Sequence, residues 1–157
     1  MHKALGLAPN DMITHSSHSI EKRRIEPITV IEEFNLCHHL GCVVNYMARA
    51  GRKTSAINDL RKAGWYLDRE IQRSKAGFNL CVPLLDGKPV FSIQDMIEDW
   101  KLSAYLAAAL SYILLAWLRS LTKDFSRRKT VETDVSLLTQ AMKRLQSAIA
   151  LEEGGRP

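Results

Sequence analysis

The segment from Asn35 to Ile71 constrains the fold of this chain more than any other. Its apolar residues recur every three to four positions on both sides of a short basic turn. This spacing gathers apolar side chains on one face of an α-helix. Gly51 stands between the two periodic runs, where a glycine commonly ends a helix. The segment therefore predicts two amphipathic helices that lie antiparallel and are joined by the turn from Gly51 to Ser55.

At about 100° per residue, each of these helices divides into an apolar face and a polar face. The first helix has a predicted core face of Leu36, Leu40, Val43, Val44 and Met47. Its opposite side carries a polar stripe of His38, Cys42, Asn45 and Arg49. The second helix, with Ser55 as its expected N-cap, has a predicted buried seam of Ala56, Ile57, Leu60, Ala63, Gly64, Leu67 and Ile71. Its separate polar edge is formed by Asp59, Lys62, Tyr66 and Glu70.

The N-terminal part of the chain differs from this pair of helices. Residues 1–24 are polar and without periodicity, which predicts a flexible leader. Pro27 suits the first turn of a helix, so we expect a short helix between it and Asn35.

The second half of the chain predicts two further helices. Asp86-Gly87 lies between two short apolar runs, which indicates a β-hairpin or an ordered loop near residues 78–91. Ser92 has the spacing of a capping box with Asp95 and would begin an apolar core helix over residues 92–121. An amphipathic helix is expected over residues 130–151.

Together these elements predict an all-α protein, a small bundle of four to five helices. Residues 25–153 would form a single helical domain, in which residues 25–73 are the helical hairpin. The chain has 157 residues, of which 46% are hydrophobic, and this suits one domain with one core.

The stretch from Leu102 to Leu118 is apolar almost all round, which leaves two interpretations open. Its length is at the lower end of what spans a membrane, and the basic residues after it suit a cytoplasmic flank. A helix buried inside a bundle or at a subunit interface has the same pattern, and the preceding Glu98 and Asp99 favour it. We expect the buried helix and keep membrane association as the alternative.

Charge and cysteine content limit the partners and the compartment. The net charge of +5 favours a phosphate-bearing partner, yet basic and acidic residues alternate along the helices, so we do not expect nucleic acid. The three cysteines do not form a disulfide framework, and the first residues lack the apolar core of a secretory signal. Both observations predict an intracellular setting.

The cysteines and histidines do not predict a metal site. His38 and Cys42 share one helix face, and Cys37 and His39 are close in sequence, but a zinc site needs at least three converging ligands. Buried thiols with a hydrogen-bonded histidine explain the same residues, so we expect no resident metal.

The basic turn is the stronger candidate for a ligand site. Arg52 and Lys53 precede a helix N-terminus with free amide donors, and Arg49 lies beside them, which predicts an anion site. The alternative is that these cations are solvated or pair with Asp59 and Glu70. The turn is not a P-loop, since it follows a helix and lacks the earlier glycine.

Five segments between residues 15 and 73 recur in a fixed order and spacing in a known family. They are Ile25-Glu26, Gly41 to Tyr46, Arg49-Ala50-Gly51-Arg52-Lys53, Asp59-Leu60-Arg61-Lys62-Ala63 and Trp65-Tyr66-Leu67. Through these segments the chain resembles a phage family, the SaV-like domain of unknown function 3310. A podophage nucleotide kinase that acts on deoxynucleoside monophosphates without a P-loop is associated with this family. The resemblance therefore implies a nucleotide-binding protein of the host-cell cytoplasm and, if it is active, a kinase that uses Mg²⁺ and ATP.

The resemblance also implies roles for particular residues. Arg49 and Lys53 would hold phosphates, with Asp59 as the candidate catalytic group that positions the metal-nucleotide or accepts a proton. Tyr66 would stack on the base or bind the sugar. The expected ligand-binding residues are Arg49, Arg52, Lys53, Lys62, Tyr66, Asn45 and His38.

Three positions depart from the family pattern. Ser19 stands where the family has tyrosine, Cys42 replaces an asparagine, and Asn45 replaces a lysine that could neutralise phosphate. Binding without catalysis is thus a second hypothesis, in which a homo-oligomer, assembled through Leu102–Leu118 and the last helix, sequesters a nucleotide signal or a host factor. A membrane-associated helical protein is the third.

Overall fold

The computed structural model describes residues 23–52, 55–77, 90–121 and 129–154. These residues form six α-helices and contain no strand. In chain order the helices are α1 (Pro27–Glu33), α2 (His38–Arg49), α3 (Ala56–Lys75), α4 (Ile93–Trp100), α5 (Ala104–Leu121) and α6 (Lys129–Glu152). The predicted all-α fold is confirmed. The hairpin predicted near residues 78–91 falls almost wholly outside the described residues.

The four longer helices build the body of the fold. α3 packs against α2 on one side and α6 on the other, and α6 packs against α5. A smaller contact joins α5 to α2, so each of the four helices contacts two others. The short helices pack against this group, α1 against α2 and α4 against α5. Apolar residues from all six helices form one core.

Two glycines set the geometry around α2. A Cβ on Gly41 would lie 3.2 Å from Ile31 Cγ2, so the glycine permits the close approach of α1. Gly51 follows α2 with a φ of 75°, a left-handed conformation that glycine adopts without strain. Its predicted role in ending the helix is confirmed.

The apolar faces of α2 and α3 agree well with the prediction. The core residues of α2 are Leu40, Val43, Val44 and Met47, with Leu36 just before the helix; all are buried. On α3 the buried apolar residues are Leu60, Ala63, Leu67 and Ile71. The other three residues of the predicted seam, Ala56, Ile57 and Gly64, are only half-buried. The predicted N-cap at Ser55 is wrong in one respect, because its side chain makes no capping hydrogen bond.

The predicted polar edge of α3 is wrong for two of its four residues. Asp59 and Glu70 are both 0% exposed. Each carboxylate is turned toward α2, where a basic or imidazole side chain meets it. The pairing explains why charged groups are tolerated in a buried position.

The apolar helix predicted over residues 92–121 is two helices. The capping box of Ser92 with Asp95 is present and begins α4. Lys101 then adopts a left-handed conformation with φ 52°, and the amide of Leu102 donates to the carbonyl of Ile97 at 3.1 Å, which closes the helix. The Ser103 hydroxyl accepts from the amide of Leu106 at 3.4 Å and opens α5. Because of this break, the described residues form six helices, whereas four to five were predicted.

Two residues assigned to the flexible leader are held by the fold. The Arg23 guanidinium donates to the carbonyl of Ala48, and the backbone N–H groups of Arg24 and Ile25 donate to Asp99 at 3.1 and 3.0 Å. Hydrogen bonds to α2 and α4 therefore hold Arg23 and Arg24, the last two residues of the predicted leader, and residues 1–22 lie outside the described residues.

The helices α5 and α6 bury much of their apolar surface against each other. α5 is not covered on every side, since Leu115 and Leu118 are 43% and 51% exposed. The final helix was predicted over residues 130–151 and spans Lys129–Glu152. None of the helices in the described parts of the chain is long and apolar enough to cross a membrane.

Candidate functional site

An ion pair joins α2 and α3 next to the turn between them. The Arg49 Nη2 atom lies 3.1 Å from Asp59 Oδ1, and Arg49 Nε donates to Asp59 Oδ2 at 3.3 Å. Two nitrogens of one guanidinium thus meet two oxygens of one carboxylate, the geometry in which arginine binds carboxylates most specifically. The Asp59 side chain is 0% exposed, whereas that of Arg49 is 28% exposed.

This pair bears on two of the predicted site residues. Asp59, the candidate catalytic group, lies behind Arg49 and has no surface of its own at which to contact a ligand. Arg49 is fixed in position by the buried carboxylate and keeps part of its guanidinium at the surface. The geometry suits Asp59 for holding Arg49, and direct catalysis by Asp59 stays a prediction.

Beside Arg49, aromatic and basic side chains form a surface that we call the tyrosine face. Its members are Tyr46 of α2 and Lys62, Trp65 and Tyr66 of α3. The rings of Tyr46 and Tyr66 lie nearly parallel with centroids 5.9 Å apart, and Trp65 meets Tyr66 edge-on at 4.9 Å. The antiparallel packing of α2 and α3 brings these residues together.

Two cations lie over the same ring of the tyrosine face. Arg49 Cζ is 5.1 Å and Lys62 Nζ is 5.6 Å from the centroid of Tyr46. Arg49 is neutralised by Asp59, whereas Lys62 is exposed and forms no ion pair within the described ranges. Lys62 therefore leaves a positive charge next to the half-buried ring of Tyr46.

His38 and Cys42 adjoin Tyr66 from the first turns of α2. Cys42 Sγ lies 3.8 Å from His38 Nε2, and the His38 ring meets the Tyr66 ring edge-on at 5.9 Å. The charge of the Cys42 sulfur raises the pKa of Tyr66 most, and desolvation, Tyr46 and a hydrogen bond with Cys42 raise it further. The Tyr66 hydroxyl, like any tyrosine hydroxyl at neutral pH, can donate a hydrogen bond to an acceptor. Asn45, the remaining predicted residue of the stripe, is half-buried next to Tyr46.

Arg52 does not join this surface. Its guanidinium donates to the carbonyl of Trp100, at the end of α4, at 3.0 Å. Burial and the nearby charge of Arg52 lower the pKa of Arg23, so the two arginines lie near each other. Lys53, the other cation of the predicted turn site, lies outside the described residues. The structure thus brings together His38, Arg49, Lys62 and Tyr66, and it turns Arg52 elsewhere.

A second polar pair joins α2 and α3 at the end of the hairpin away from the turn. The His39 Nδ1 atom lies 2.9 Å from Glu70 Oε2, and Arg73 Nε lies 3.4 Å from the same oxygen. The contact of Glu70 with His39 was not predicted from the sequence, in which Glu70 belongs to the polar edge of α3 and was considered only as a partner of the basic residues. The register of the two helices could have indicated it. If Arg49 lies opposite Asp59, antiparallel packing places His39, ten residues earlier on α2, close to Glu70, eleven residues later on α3.

The described residues contain no group of three or more histidine, cysteine, aspartate or glutamate side chains arranged to hold a metal ion. Mg²⁺ bound together with ATP stays a prediction, because such an ion is held largely by phosphate oxygens.

The comparisons with known proteins bear on the first part of the chain. The family described as "Protein of unknown function (DUF3310)" matches residues 13–68. No curated protein and no solved structure matches the chain. The matched range contains α1, α2 and the first part of α3, and with them every member of the tyrosine face. The resemblance predicted over residues 15–73 is confirmed as a match to part of the chain: the DUF3310 family model matches residues 13–68.

Proposed function

We propose that this protein binds a nucleotide, or a closely related phosphorylated small molecule, on the tyrosine face. The observation that carries the proposal is the placement of Arg49 and Lys62 over the Tyr46 ring, beside the near-parallel ring of Tyr66. Tyr46 and Tyr66 are half-buried, and the accessible part of such a ring offers a flat surface to a base, while an adjacent cation offers charge to a phosphate.

The contribution of each group follows from its exposure and partners. Trp65 is 60% exposed and, with Tyr66, presents apolar ring surface on which a base can stack. Stacking of a base on an aromatic side chain is worth about 1–3 kcal/mol. Lys62 supplies an unpaired charge for phosphate, and Arg49 adds a guanidinium that Asp59 holds ready. His38, Asn45 and the Tyr66 hydroxyl complete the polar groups at this surface.

Kinase chemistry is the stronger form of the same proposal. It would require ATP with Mg²⁺ next to a bound deoxynucleoside monophosphate, and its support is the resemblance to a family with which a podophage kinase is associated. Within it we assign Asp59 to positioning Arg49 against the transferred phosphoryl group, because Asp59 is enclosed. The proposal places the protein in the host-cell cytoplasm, where both nucleotides are present.

Nucleotide titration tests the proposal. The four 2′-deoxynucleoside 5′-monophosphates and ATP, each with and without Mg²⁺, would be titrated while Trp fluorescence is recorded. Trp100 and Trp117 are buried, so a bound nucleotide is expected to quench Trp65 selectively. Diphosphate formation in the same mixtures, measured by ion-pair chromatography, tests the kinase form separately.

Matched variants locate the binding. Tyr66→Ala and Lys62→Ala are expected to weaken binding about tenfold or more, since each removes a stacking or charge contact. Lys143→Ala changes an exposed lysine on α6 and is expected to bind as the wild type does. Equal affinity of all three variants would move the site elsewhere, and the absence of any binding at millimolar nucleotide would end the proposal.

A second candidate function rests on the exposed surface of α5. Leu115 and Leu118 lie exposed on one helix, which is the surface that a homo-oligomer of the sequestering type would use. Such a protein would retain nucleotide in stoichiometric amounts without turnover. Sedimentation equilibrium of the wild type and of Leu118→Glu tests it, with a multimer expected for the first and a monomer for the second. A monomeric wild type at all concentrations rules it out.

A further inference from the structure

The pair of His39 and Glu70 has the geometry of an oriented imidazole. Glu70 is 0% exposed and accepts from His39 Nδ1 at 2.9 Å, while Arg73 Nε lies 3.4 Å from the same carboxylate oxygen. A buried carboxylate that engages one ring nitrogen fixes both the tautomer and the direction of the ring. Glu70 thereby determines which nitrogen His39 presents to its surroundings.

The other ring nitrogen, His39 Nε2, makes no hydrogen bond to any described residue. This nitrogen is not fully enclosed, and the His39 side chain is 21% exposed. In a neutral imidazole that donates from Nδ1, Nε2 carries a lone pair and accepts a hydrogen bond. Arg73 supplies positive charge beside Glu70, so the neutral form of His39 leaves the carboxylate compensated.

The His39 ring lies at the edge of the tyrosine face. The His39 ring is 6.3 Å from the Tyr66 ring and 5.7 Å from the His38 ring, measured between centroids. A molecule stacked on Tyr66 is within reach of a hydrogen bond to His39. None of the cationic groups of the face can provide this interaction, because lysine and arginine have no acceptor.

We propose that His39 Nε2, oriented by Glu70, accepts a hydrogen bond from the nucleotide bound on the tyrosine face. The proposal rests on the proposed nucleotide-binding function and adds a recognition group of opposite hydrogen-bonding character to Lys62 and Arg49. The donor on the ligand is a sugar hydroxyl or an N–H group of the base. His39 contacts the ligand, and Glu70 is a positioning residue.

A substitution of matched shape separates the two roles of His39. His39→Asn retains an amide nitrogen near the position of Nδ1, which can still donate to Glu70, and it removes the outward nitrogen. We expect His39→Asn to bind its preferred 2′-deoxynucleoside 5′-monophosphate about tenfold more weakly, as for one lost hydrogen bond. The 2′,3′-dideoxy analogue of that nucleotide distinguishes the donor. If the sugar hydroxyl is the donor, the analogue binds the wild type weakly; if the base is the donor, it binds normally and still loses affinity in His39→Asn.

The ring nitrogens of the wild type give a measurement that does not depend on a variant. Long-range ¹H–¹⁵N correlation spectra are expected to show His39 with a protonated Nδ1 and an unprotonated Nε2, whose ¹⁵N shift moves when nucleotide is added. Glu70→Gln is expected to leave a mixture of both tautomers and to weaken binding less than His39→Asn does. These effects on the tautomer distinguish orientation of the ring from mere stabilisation of the fold.

The outcomes separate this inference from the function on which it rests. Wild-type affinity in His39→Asn, or an Nε2 shift that does not respond to bound nucleotide, overturns the inference and leaves nucleotide binding standing. A protonated Nε2 in the free protein overturns it as well. If the wild type binds no nucleotide, the proposed function fails and the inference fails with it.

Discussion

Each end of the hairpin formed by α2 and α3 contains a buried carboxylate, and the two carboxylates are compensated by different side chains. At the turn end, Asp59 is enclosed and meets two nitrogens of Arg49; at the open end, Glu70 is equally enclosed but meets the single nitrogen of His39 and one of Arg73. The pairs are ten residues apart on α2, about 15 Å along the helix. The tyrosine face lies between them.

The arginine pair and the histidine pair differ in the chemical group that each presents to a ligand. The arginine pair yields a cation that the buried Asp59 fixes at the surface. The histidine pair yields an imidazole that is held through Nδ1 by the buried Glu70, so its other ring nitrogen is left for a ligand. One end thus adds positive charge to the tyrosine face, and the other adds a hydrogen-bonding group that can accept.

The largest effect is expected at the turn end. Arg49→Met removes the guanidinium from an enclosed carboxylate, which should lower the free energy of unfolding by about 3 kcal/mol, because a buried charge loses its main compensation. Urea denaturation measures the change. The double variant Arg49→Met with Asp59→Leu serves as its control and should recover most of the loss. If Arg49→Met unfolds like the wild type, the pair does not stabilise the hairpin.

A smaller effect is expected at the open end. His39→Leu should lower the free energy of unfolding by about 2 kcal/mol, the order of one hydrogen bond to a charged group, since Arg73 remains beside Glu70. His39→Asn, which keeps a donor, should unfold within about 0.5 kcal/mol of the wild type. A loss in His39→Leu as large as that in Arg49→Met would remove the contrast between the two ends.

Asp99 provides a reference that involves neither end of the hairpin. Burial acts to raise its pKa, but hydrogen bonds from the backbone N–H groups of Ile25 and Arg24, together with the Arg24 side chain, outweigh burial and lower it. A carboxyl with a lowered pKa in the folded state stabilises the protein above its ordinary pKa, and this stabilisation is lost as the pH falls through the lower, folded value. Asp99→Asn should therefore cost about 1 kcal/mol at neutral pH, the order of one hydrogen bond.

The pH dependence is the check on Asp99. Thermal unfolding across the acidic range should show the wild type converging on Asp99→Asn as the pH falls through the folded pKa of Asp99. A difference that stays constant down to the lowest pH would mean that ionisation of Asp99 is not the source of the stabilisation.

The smallest effect on stability is expected at the tyrosine face itself. Lys62→Ala should change the free energy of unfolding by less than about 0.5 kcal/mol, since Lys62 is exposed and its contact with Tyr46 is a single cation–π interaction. The same variant should bind nucleotide about tenfold more weakly. A large loss of stability would show that Lys62 belongs to the framework of the fold rather than to its ligand surface.

Periodicity predicted the apolar half of this molecule well and the polar half less well. The core face of α2, the glycine that ends it and the capping box at Ser92 follow from rules that involve one helix at a time. The burial of Asp59 and Glu70 does not, because helical angles specify direction but not the partner that the neighbouring helix places there. The break at Lys101 was also missed, since neither glycine nor proline marks it and a lysine adopts the left-handed conformation.

The candidate site likewise contains residues that the sequence predicted and residues that it did not. His38, Arg49, Lys62 and Tyr66 were predicted and lie together, whereas Tyr46 and Trp65 were not singled out as site residues. Their contribution depends on the register between α2 and α3, which the sequence of either helix does not contain. Arg52 was expected in the site because it is next to Lys53 in sequence, yet its contact with Trp100 turns it toward α4.

Backbone ¹H–¹⁵N spectra recorded during titration with the preferred deoxynucleoside monophosphate test the central claim most directly. The account predicts shift changes concentrated at His39, Tyr46, Lys62, Trp65 and Tyr66, with the amides around Lys143 unchanged. Changes confined to Arg23, Arg52 and the end of α4, or no changes at saturating nucleotide, would contradict it.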